Sequence, residues 1–294
     1  MLKIKKCEFL SPRIEDNWIR DWHGNYRMTK CLNQEFNTMI DKRESDTIER
    51  GNIPERHFER YAIASIIETI KSKDAVFVEV GAGYGEWCLA FDGLIRNRIV
   101  PKNVKSTPLC IGIEPDPNHY EWLKEHFEYN EIKGRCLDAV VSDIDGWVRI
   151  NKNSKPDYDY GQTILNHGAD KRTAMGALQY VLQNTMKVMS YTMDRAMWQM
   201  RTKHIDLVHI DVQGAEDKVI SGASELISSG NMDYLIIGTH GDRKHGKVKV
   251  MLERYYDFVV DIKPNSTGKT SIGKVECQDG ILICERRNNG RRED

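Results

Sequence analysis

Short apolar runs alternate with segments of helical apolar spacing along most of this 294-residue chain. Strand-like runs occur at residues 76–80, 109–113, 135–141, 205–210, 234–237, 257–262 and 281–284. Helical spacing precedes the first run, from Tyr61, and follows the first, second, fourth and fifth runs. This alternation predicts an α/β protein with a parallel sheet. The last two runs are joined by a polar loop without a helix, so we expect them to pair antiparallel.

Three segments lack this pattern. Residues 1–60 are polar, with scattered aromatic side chains and no clean period, and we interpret them as an N-terminal extension of a domain at residues 61–287. Residues 151–190 form an insertion, and its polar part at 151–173 is either a solvated surface loop or a lid over a substrate. The charged tail at residues 288–294 is predicted to be disordered.

Composition narrows the class of protein. The chain is 40% hydrophobic, and its 43 Lys and Arg against 44 Asp and Glu create no field that would hold DNA or RNA. Seven cysteines, without a C-x-x-C pair, are typical of reduced thiols and indicate neither a zinc site nor a disulfide framework. No run approaches the ~18 apolar residues of a membrane span, and the start has no signal-peptide core. We expect a cytoplasmic protein without a membrane partner, and the sequence does not indicate an oligomeric state.

Candidate chemistry begins where the first strand ends, in the sequence VFVEVGAGYGEW. Gly81, Gly83 and Gly85 follow Glu79 at every second position, which removes side chains that would keep a ligand from backbone N–H groups. A dinucleotide fingerprint would need a glycine where Glu86 stands, and a P-loop would need Gly-Lys-Ser/Thr. The segment is therefore either a different kind of cofactor site or an ordinary tight turn between strand and helix.

Other polar residues also stand at strand ends. Glu114 ends the second strand ahead of Pro115, and a carboxylate in this place binds ribose hydroxyls in nucleotide-binding α/β sheets. Its alternative role is that of a helix N-terminal acid that interacts only with the helix dipole. Asp211 and His240 end the fourth and fifth strands. Because ligands bind outside the carboxyl ends of parallel strands, we expect them to face one crevice together with Glu79.

Taken in order, the pieces VEVGAGYGEW, IEPDPNHYEWLKEHF, AVVSDIDG, TMD, IDLVHIDVQGAE, GTHG and QDGILI resemble the FkbM-type methyltransferase family. The glycine segment is similar to motif I of the S-adenosylmethionine-dependent methyltransferases. The resemblance implies a Rossmann-like seven-stranded sheet, mostly parallel with an antiparallel last strand. It also implies S-adenosyl-L-methionine as cofactor and O-methylation of a hydroxyl on a sugar or another small metabolite.

The resemblance assigns the cofactor to the glycine segment and to the ends of the second and third strands: Glu79, Gly81, Ala82, Gly83, Tyr84, Glu114, Pro115, Asp138 and Ala139. In this assignment Glu79 faces the methionine end of the cofactor, Glu114 the ribose and Asp138 the adenine.

The crevice and the insertion supply the candidate catalytic and substrate residues. Histidine has the near-neutral pKa wanted of a general base, so we assign that role to His240 and a positioning role to the Asp211 carboxylate. The alternatives are that His240 only hydrogen-bonds the acceptor or the loop and that Asp211 caps a helix. Tyr160 and Gln162, in the insertion, are the expected substrate contacts.

The sequence departs from the family pattern near the crevice. His209 and Gln213 stand where a lysine and a glutamate are usual, and Gly238 replaces a glutamate two residues before the histidine. The resemblance therefore does not define the acceptor. Asp211 and Glu216 offer oxygen ligands for a divalent ion, but we expect no metal. A non-catalytic cofactor-binding partner subunit is the alternative function, and an NAD-dependent dehydrogenase is a third.

Overall fold

The structure is a computed structural model that describes residues 1–32, 34–99, 106–157 and 185–287. Its strands are β1 (Arg13–Glu15), β2 (Trp18–Arg20), β3 (Tyr26–Met28), β4 (Ile53–Pro54), β5 (Asp74–Val80), β6 (Thr107–Ile113), β7 (Gly134–Leu137), β8 (Val140–Val141), β9 (Gly146–Asn151), β10 (Thr185–Tyr191), β11 (Ile205–Ile210), β12 (Met232–Thr239), β13 (Tyr256–Ile262), β14 (Ser266–Thr270), β15 (Gly273–Cys277) and β16 (Gly280–Arg286). Its helices are α1 (Gln34–Glu49), α2 (Glu55–Ile67), α3 (Glu86–Arg96), α4 (Pro117–Tyr129), α5 (Met193–Gln199), α6 (Glu216–Ser221), α7 (Ser224–Ser229) and α8 (Asp242–Leu252), with a 3-10 helix at Thr29–Cys31. Most of the predicted lid and the predicted disordered tail lie outside the described residues.

A seven-stranded sheet in the order β13-β16-β12-β11-β5-β6-β7 forms the centre of the protein. Its strands run parallel except β16, which is antiparallel to both of its neighbours. The predicted α/β fold, with a Rossmann-like sheet and an antiparallel last strand, is confirmed. The strand order reverses between β5 and β11, because β6 and β7 continue on one side of β5 and β12 lies on the other. Open α/β sheets bind ligands at such a reversal.

Both faces of the sheet are buried, which explains why its strands are continuous apolar runs rather than alternating ones. Phe77 of β5 packs into the layer of α2 and α3, whereas Val78 and Val80 enter the layer of α5, α6 and α8. The ring of Phe77 stacks on Phe91 of α3 with centroids 4.8 Å apart. Burial of one such side chain stabilises the folded state by about 1.5–3 kcal/mol.

No described helix combines the length and the apolar character that crossing a bilayer requires.

Two predicted elements differ from the structure. The predicted third strand at 135–141 is broken, because β7 ends at Leu137 and β8 pairs with β10 in a separate small sheet. Asp138 is exposed at the break, and a charged residue does not suit a strand buried on both faces. The loop expected between the last two strands instead contains the hairpin β14–β15. Its buried residues Val275 and Cys277 alternate with polar ones over too few positions to stand out in the sequence.

The N-terminal extension is folded against the rest of the chain. Strands β1 to β3 form an antiparallel meander. Helix α2 begins at Glu55, six residues before the helix predicted from Tyr61. Its first turns, ERHFER, are charged, so the apolar period becomes visible in the sequence only later in the helix.

His126 of α4 connects this meander to the glycine segment. Its Nε2 accepts a hydrogen bond from the N–H of Met28 at 2.8 Å, so the proton is on Nδ1, which donates to the carbonyl oxygen of Tyr84 at 2.7 Å. Burial lowers the pKa of His126 to about 4, so the ring is neutral at pH 7 and both bonds are retained. The extension is therefore fixed relative to the turn that follows β5.

Candidate functional site

The turn from β5 into α3 packs directly against the end of β11. At Gly81, where φ is +77°, a Cβ atom would lie 2.0 Å from the carbonyl oxygen of Asp211. At Gly85, where φ is +88°, a Cβ atom would lie 2.5 Å from the side chain of Leu123. Left-handed backbone at both positions also favours glycine. The two glycines are therefore required by the turn and by its neighbours.

The N–H groups of this turn are largely paired inside the protein. Those of Gly81 and Ala82 both donate to the carbonyl oxygen of Ile113 at 3.0 Å. The N–H of Gly83 donates to the Glu114 carboxylate at 2.7 Å. The glycines thus provide a wall without side chains, rather than the free main-chain donors expected from the sequence.

Glu79 is buried, and its carboxylate accepts hydrogen bonds from the start of α3. Oε1 accepts from the N–H of Trp87 at 3.1 Å and Oε2 from the N–H of Cys88 at 2.7 Å. Burial raises the pKa of Glu79 to about 7, while the nearby His209 and these N–H donors oppose the shift. A carboxylate that would be costly in a buried strand is therefore satisfied by the helix N-terminus.

Glu114 makes the corresponding contacts at the end of β6. Oε2 accepts from the N–H of Gly83 and Oε1 from the N–H of Asp116, both at 2.7 Å. Burial raises the pKa of Glu114 to about 7. The cap of α4 is Asp116, which accepts from the N–H groups of Asn118 and His119. Glu114 therefore does more than interact with a helix dipole, and that alternative is wrong.

These groups border a cavity of about 310 Å³ at the carboxyl ends of β5, β6 and β11. Its size falls within the range of small-molecule sites. The predicted cofactor residues that line it are Glu79, Gly81, Ala82, Gly83, Tyr84, Glu114, Pro115 and Ala139. Asp138 is exposed and does not line this cavity within the described part of the chain. The predicted substrate contacts Tyr160 and Gln162 lie outside the described residues.

Near the end of β11, a histidine is surrounded by carboxylates. Nδ1 of His240 lies 2.7 Å from Oε1 of Glu216, which also accepts the N–H of Gly214 at 2.7 Å. Nε2 of His240 lies 3.6 Å from Asp211 and 3.8 Å from Asp279. Nε2 of His240 and Oε2 of Glu216 are both buried without a hydrogen-bond partner among the described residues. This cluster therefore has polar atoms that its own side chains leave unpaired.

The carboxylates determine the charge of the histidine. Burial lowers the pKa of His240, but the hydrogen bond to Glu216 and the charges of Asp211, Glu216 and Asp279 outweigh burial and raise it to about 9. The ring is therefore protonated at neutral pH in the free protein. Helix α6 begins after Ala215 without a side-chain cap, so the alternative that Asp211 caps this helix is wrong. Asp211 lines the cavity directly, whereas His240 is not among its described lining residues.

The N-terminal extension supplies residues that the sequence did not indicate. Oε1 of Glu59 lies 3.4 Å from Nε2 of His209, and Glu55 accepts hydrogen bonds from the N–H groups of Gln278 and Asp279. Burial and nearby carboxylates raise the pKa of Glu55 to about 9 and that of Glu59 well above its usual range. Their i, i+4 spacing on α2 is the one sequence signal that they share a face.

Comparison with known proteins identifies relatives over most of the chain. A family model described as the methyltransferase FkbM domain matches residues 79–260. A putative methyltransferase from Jannaschia sp. (strain CCS1) is 27% identical over 214 residues, covering 70% of each chain. A precorrin-6y C5,15-methyltransferase from Geobacter metallireducens is 9% identical with a TM-score of 0.40, covering 77% of this chain and 86% of its own. A putative RNA methyltransferase from Pyrococcus horikoshii is 11% identical with a TM-score of 0.39, covering 80% and 85%.

Proposed function

This chain belongs to the methyltransferase FkbM family. We propose that it is an O-methyltransferase that uses S-adenosyl-L-methionine as methyl donor. We propose as its acceptor a hydroxyl of a sugar or of another small metabolite. The observation that supports this proposal is the cavity at the reversal of strand order. Glu114 borders it at the end of β6 and Asp211 at the end of β11, on either side of β5. One carboxylate thus suits a ribose and the other an acceptor.

The residues of the cavity fit the chemistry of this cofactor. Each oxygen of Glu114 accepts one main-chain N–H and has a second lone pair for a ribose hydroxyl. Two such oxygens match the two donors of a vicinal diol. Ile113, Ala139 and Val140 border the same cavity and suit the apolar faces of a purine base. The cavity therefore offers a place for both parts of a nucleoside.

When bound, the cofactor supplies a methyl group on a positively charged sulfur. The protein then has to align the acceptor oxygen and take its proton, and alignment alone offers several kcal/mol. We assign Asp211 as the carboxylate that positions the acceptor and His240 as the general base. Nδ1 of His240 keeps its proton by donating to Glu216, so Nε2 receives the proton of the acceptor hydroxyl. The carboxylates around the ring stabilise the imidazolium that results.

This assignment has two consequences. A group with a pKa of about 9 is only about 1% deprotonated at pH 7, so the base form of His240 is a minor species in the free enzyme. The carboxylates of Asp211 and Asp279 also repel an anion, which favours an acceptor with hydroxyl groups and no negative charge.

The test is to incubate the purified full-length protein with S-adenosylmethionine and a panel of neutral sugars and hydroxylated metabolites, and to measure S-adenosylhomocysteine release. We expect release that depends on one class of acceptor and that has the methyl on an oxygen by mass spectrometry. Calorimetric binding of the cofactor without transfer to any acceptor would instead favour the non-catalytic partner subunit.

A further inference from the structure

One side chain with a permanent positive charge lies among the described residues that line the cavity. It precedes the residues that the family model matches. Arg56 belongs to α2 and is the only lysine or arginine among the described residues that line the cavity. Four carboxylates also line it, those of Glu79, Glu86, Glu114 and Asp211. A negatively charged group of a ligand would therefore meet repulsion beside Glu79, Glu114 and Asp211, and its cationic partner among the described lining residues is Arg56, whose charge Glu86 partly offsets.

Two residues of the glycine segment hold Arg56 in a fixed orientation. Nε donates to Oε1 of Glu86 at 2.7 Å, and Nη2 donates to Oε2 of the same carboxylate. The Tyr84 hydroxyl donates to Oε2 of Glu86 at 3.0 Å, which positions this carboxylate from its other side. The bidentate pair uses one edge of the planar guanidinium. Nη1 donates no hydrogen bond to any described residue, so its N–H groups are available to a ligand.

We propose that Arg56 binds the carboxylate of the amino-acid moiety of S-adenosylmethionine, an inference that rests on the function proposed above. Glu114 takes the ribose diol at one part of the cofactor, so the carboxylate at its other end needs a different partner. Main-chain N–H groups at a helix start are a common anion site, but here Gly81 and Ala82 donate to Ile113 and the first turn of α3 donates to Glu79. Arg56 is the one permanently charged donor among the described residues that line the cavity.

The N-terminal extension thereby completes the cofactor site. Arg56 connects the carboxylate of the cofactor to α2, and His126 connects the meander of the extension to Tyr84 in the same turn. Residues that lie before the family match therefore contribute to the affinity for the donor.

Calorimetric titration of the full-length protein with two ligands isolates this contact. S-Adenosylhomocysteine has the amino-acid moiety, whereas 5′-methylthioadenosine has the same nucleoside without it. In Arg56→Gln we expect S-adenosylhomocysteine to bind about ten- to a hundredfold more weakly, while 5′-methylthioadenosine stays within about twofold of wild type. Arg60→Gln is the matched control, because Arg60 lies one turn further along α2 against the ring of Trp22, 4.9 Å from its centroid, and should change neither affinity.

Equal weakening of both ligands, or unchanged binding of S-adenosylhomocysteine in Arg56→Gln, would overturn the proposal. Arg56→Lys retains the charge opposite Glu86 but loses the planar fork, and we expect its affinity to lie between those of wild type and Arg56→Gln. Thermal unfolding checks that each variant is folded. A wild-type protein that binds neither ligand would reject the proposed cofactor and this inference together, whereas selective failure in Arg56→Gln rejects the inference alone.

Discussion

The nucleoside end and the acceptor end of the cavity differ in how completely their charged groups are paired. At the nucleoside end, both oxygens of Glu114 accept main-chain N–H groups at 2.7 Å, and both oxygens of the neighbouring Glu79, which we assign to the methionine moiety, do so at 3.1 and 2.7 Å. At the acceptor end, Asp211 lines the cavity and His240 lies outside its described lining, and Asp211 and Asp279 approach one nitrogen of His240 no closer than 3.6 and 3.8 Å. That nitrogen has no hydrogen-bond partner within the described ranges of the chain.

This difference in pairing indicates at which end of the cavity a bound ligand should change the protonation of the protein. Paired carboxylates are already oriented in the free protein, so a nucleoside adds hydrogen bonds to a preformed wall. An unpaired buried polar atom costs about 1–3 kcal/mol, and a hydroxyl that bonds to it removes this cost. The acceptor end is therefore the part of the protein in which substrate binding should alter charge and protonation.

The largest expected effect comes from removing the histidine at the acceptor end. If His240 is the general base, His240→Ala should lower kcat by about 10²–10⁴, while cofactor affinity stays near the wild-type value because the nucleoside end is unchanged. Single-turnover kinetics and calorimetry measure the two quantities. The matched control is His204→Ala, which removes an exposed histidine that precedes β11 and hydrogen-bonds to Asp233. A His240→Ala enzyme that keeps its turnover within a few-fold from pH 6 to 9 would reject the assignment.

The next effect is a pH dependence that only the acceptor end should show. The base form of His240 is the deprotonated ring and its pKa is about 9, so kcat/KM should rise about tenfold per pH unit from pH 7 and level off near pH 9. Glu216→Gln removes the anion that bonds to Nδ1, so the midpoint should move to lower pH. A wild-type profile that is flat between pH 7 and 9 would show that His240 only hydrogen-bonds the acceptor.

The two ends of the cavity also differ in how well the sequence predicted them, and the nucleoside end was predicted better. Glu79 and Glu114 were identified because each ends an apolar strand beside a glycine or proline, which is a local signal. The strand at Ile205–Ile210 was placed correctly for the same reason, since it is buried throughout. The topology then followed from the alternation of strands and helices and from the family resemblance.

The contribution of the N-terminal extension could not be predicted, because it depends on where α2 crosses the sheet. Glu59 and His209 are in contact although they are 150 positions apart, and no motif relates them. The raised pKa of His240 likewise depends on Glu216 and Asp279, which reach the ring from different elements. Sequence position gave His240 and Asp211, but not the contacts of Glu216 and Asp279 with the ring.

A smaller effect is expected at the nucleoside end. Glu114→Ala should weaken cofactor binding about ten- to a hundredfold, because one charge-assisted hydrogen bond is worth about 1.5–3 kcal/mol. Calorimetric titration measures the loss of affinity. Thermal unfolding checks that the protein stays folded without the hydrogen bonds from the N–H groups of Gly83 and Asp116 to Glu114. Glu121→Ala, at an exposed glutamate of α4 that pairs with Lys124, is the control. Unchanged affinity in a folded Glu114→Ala protein would refute the ribose assignment.

The smallest expected effect is on the free energy of unfolding. It concerns Glu55, which accepts a hydrogen bond from the N–H of Asp279 beside the acceptor end. Burial and the charges of Glu59 and Asp279 raise the pKa of Glu55 to about 9, so the folded protein binds a proton that the unfolded chain releases at lower pH. The free energy of unfolding should therefore fall as the pH rises above about 4.5, the usual pKa of this group, and level off above about 9. Glu55→Gln should raise the free energy of unfolding by about 1–2 kcal/mol at pH 8 and change it little at pH 4.

The glutamine can keep the native contacts, because a single oxygen of Glu55 accepts the N–H groups of both Gln278 and Asp279. Chemical denaturation at the two pH values measures the difference, with Glu253→Gln at an exposed position as control. A Glu55→Gln protein that is destabilised equally at both pH values would show that the carboxylate is favourable where it lies. The acceptor end would then be as well paired as the nucleoside end, and the contrast between them would be limited to His240 and Glu216.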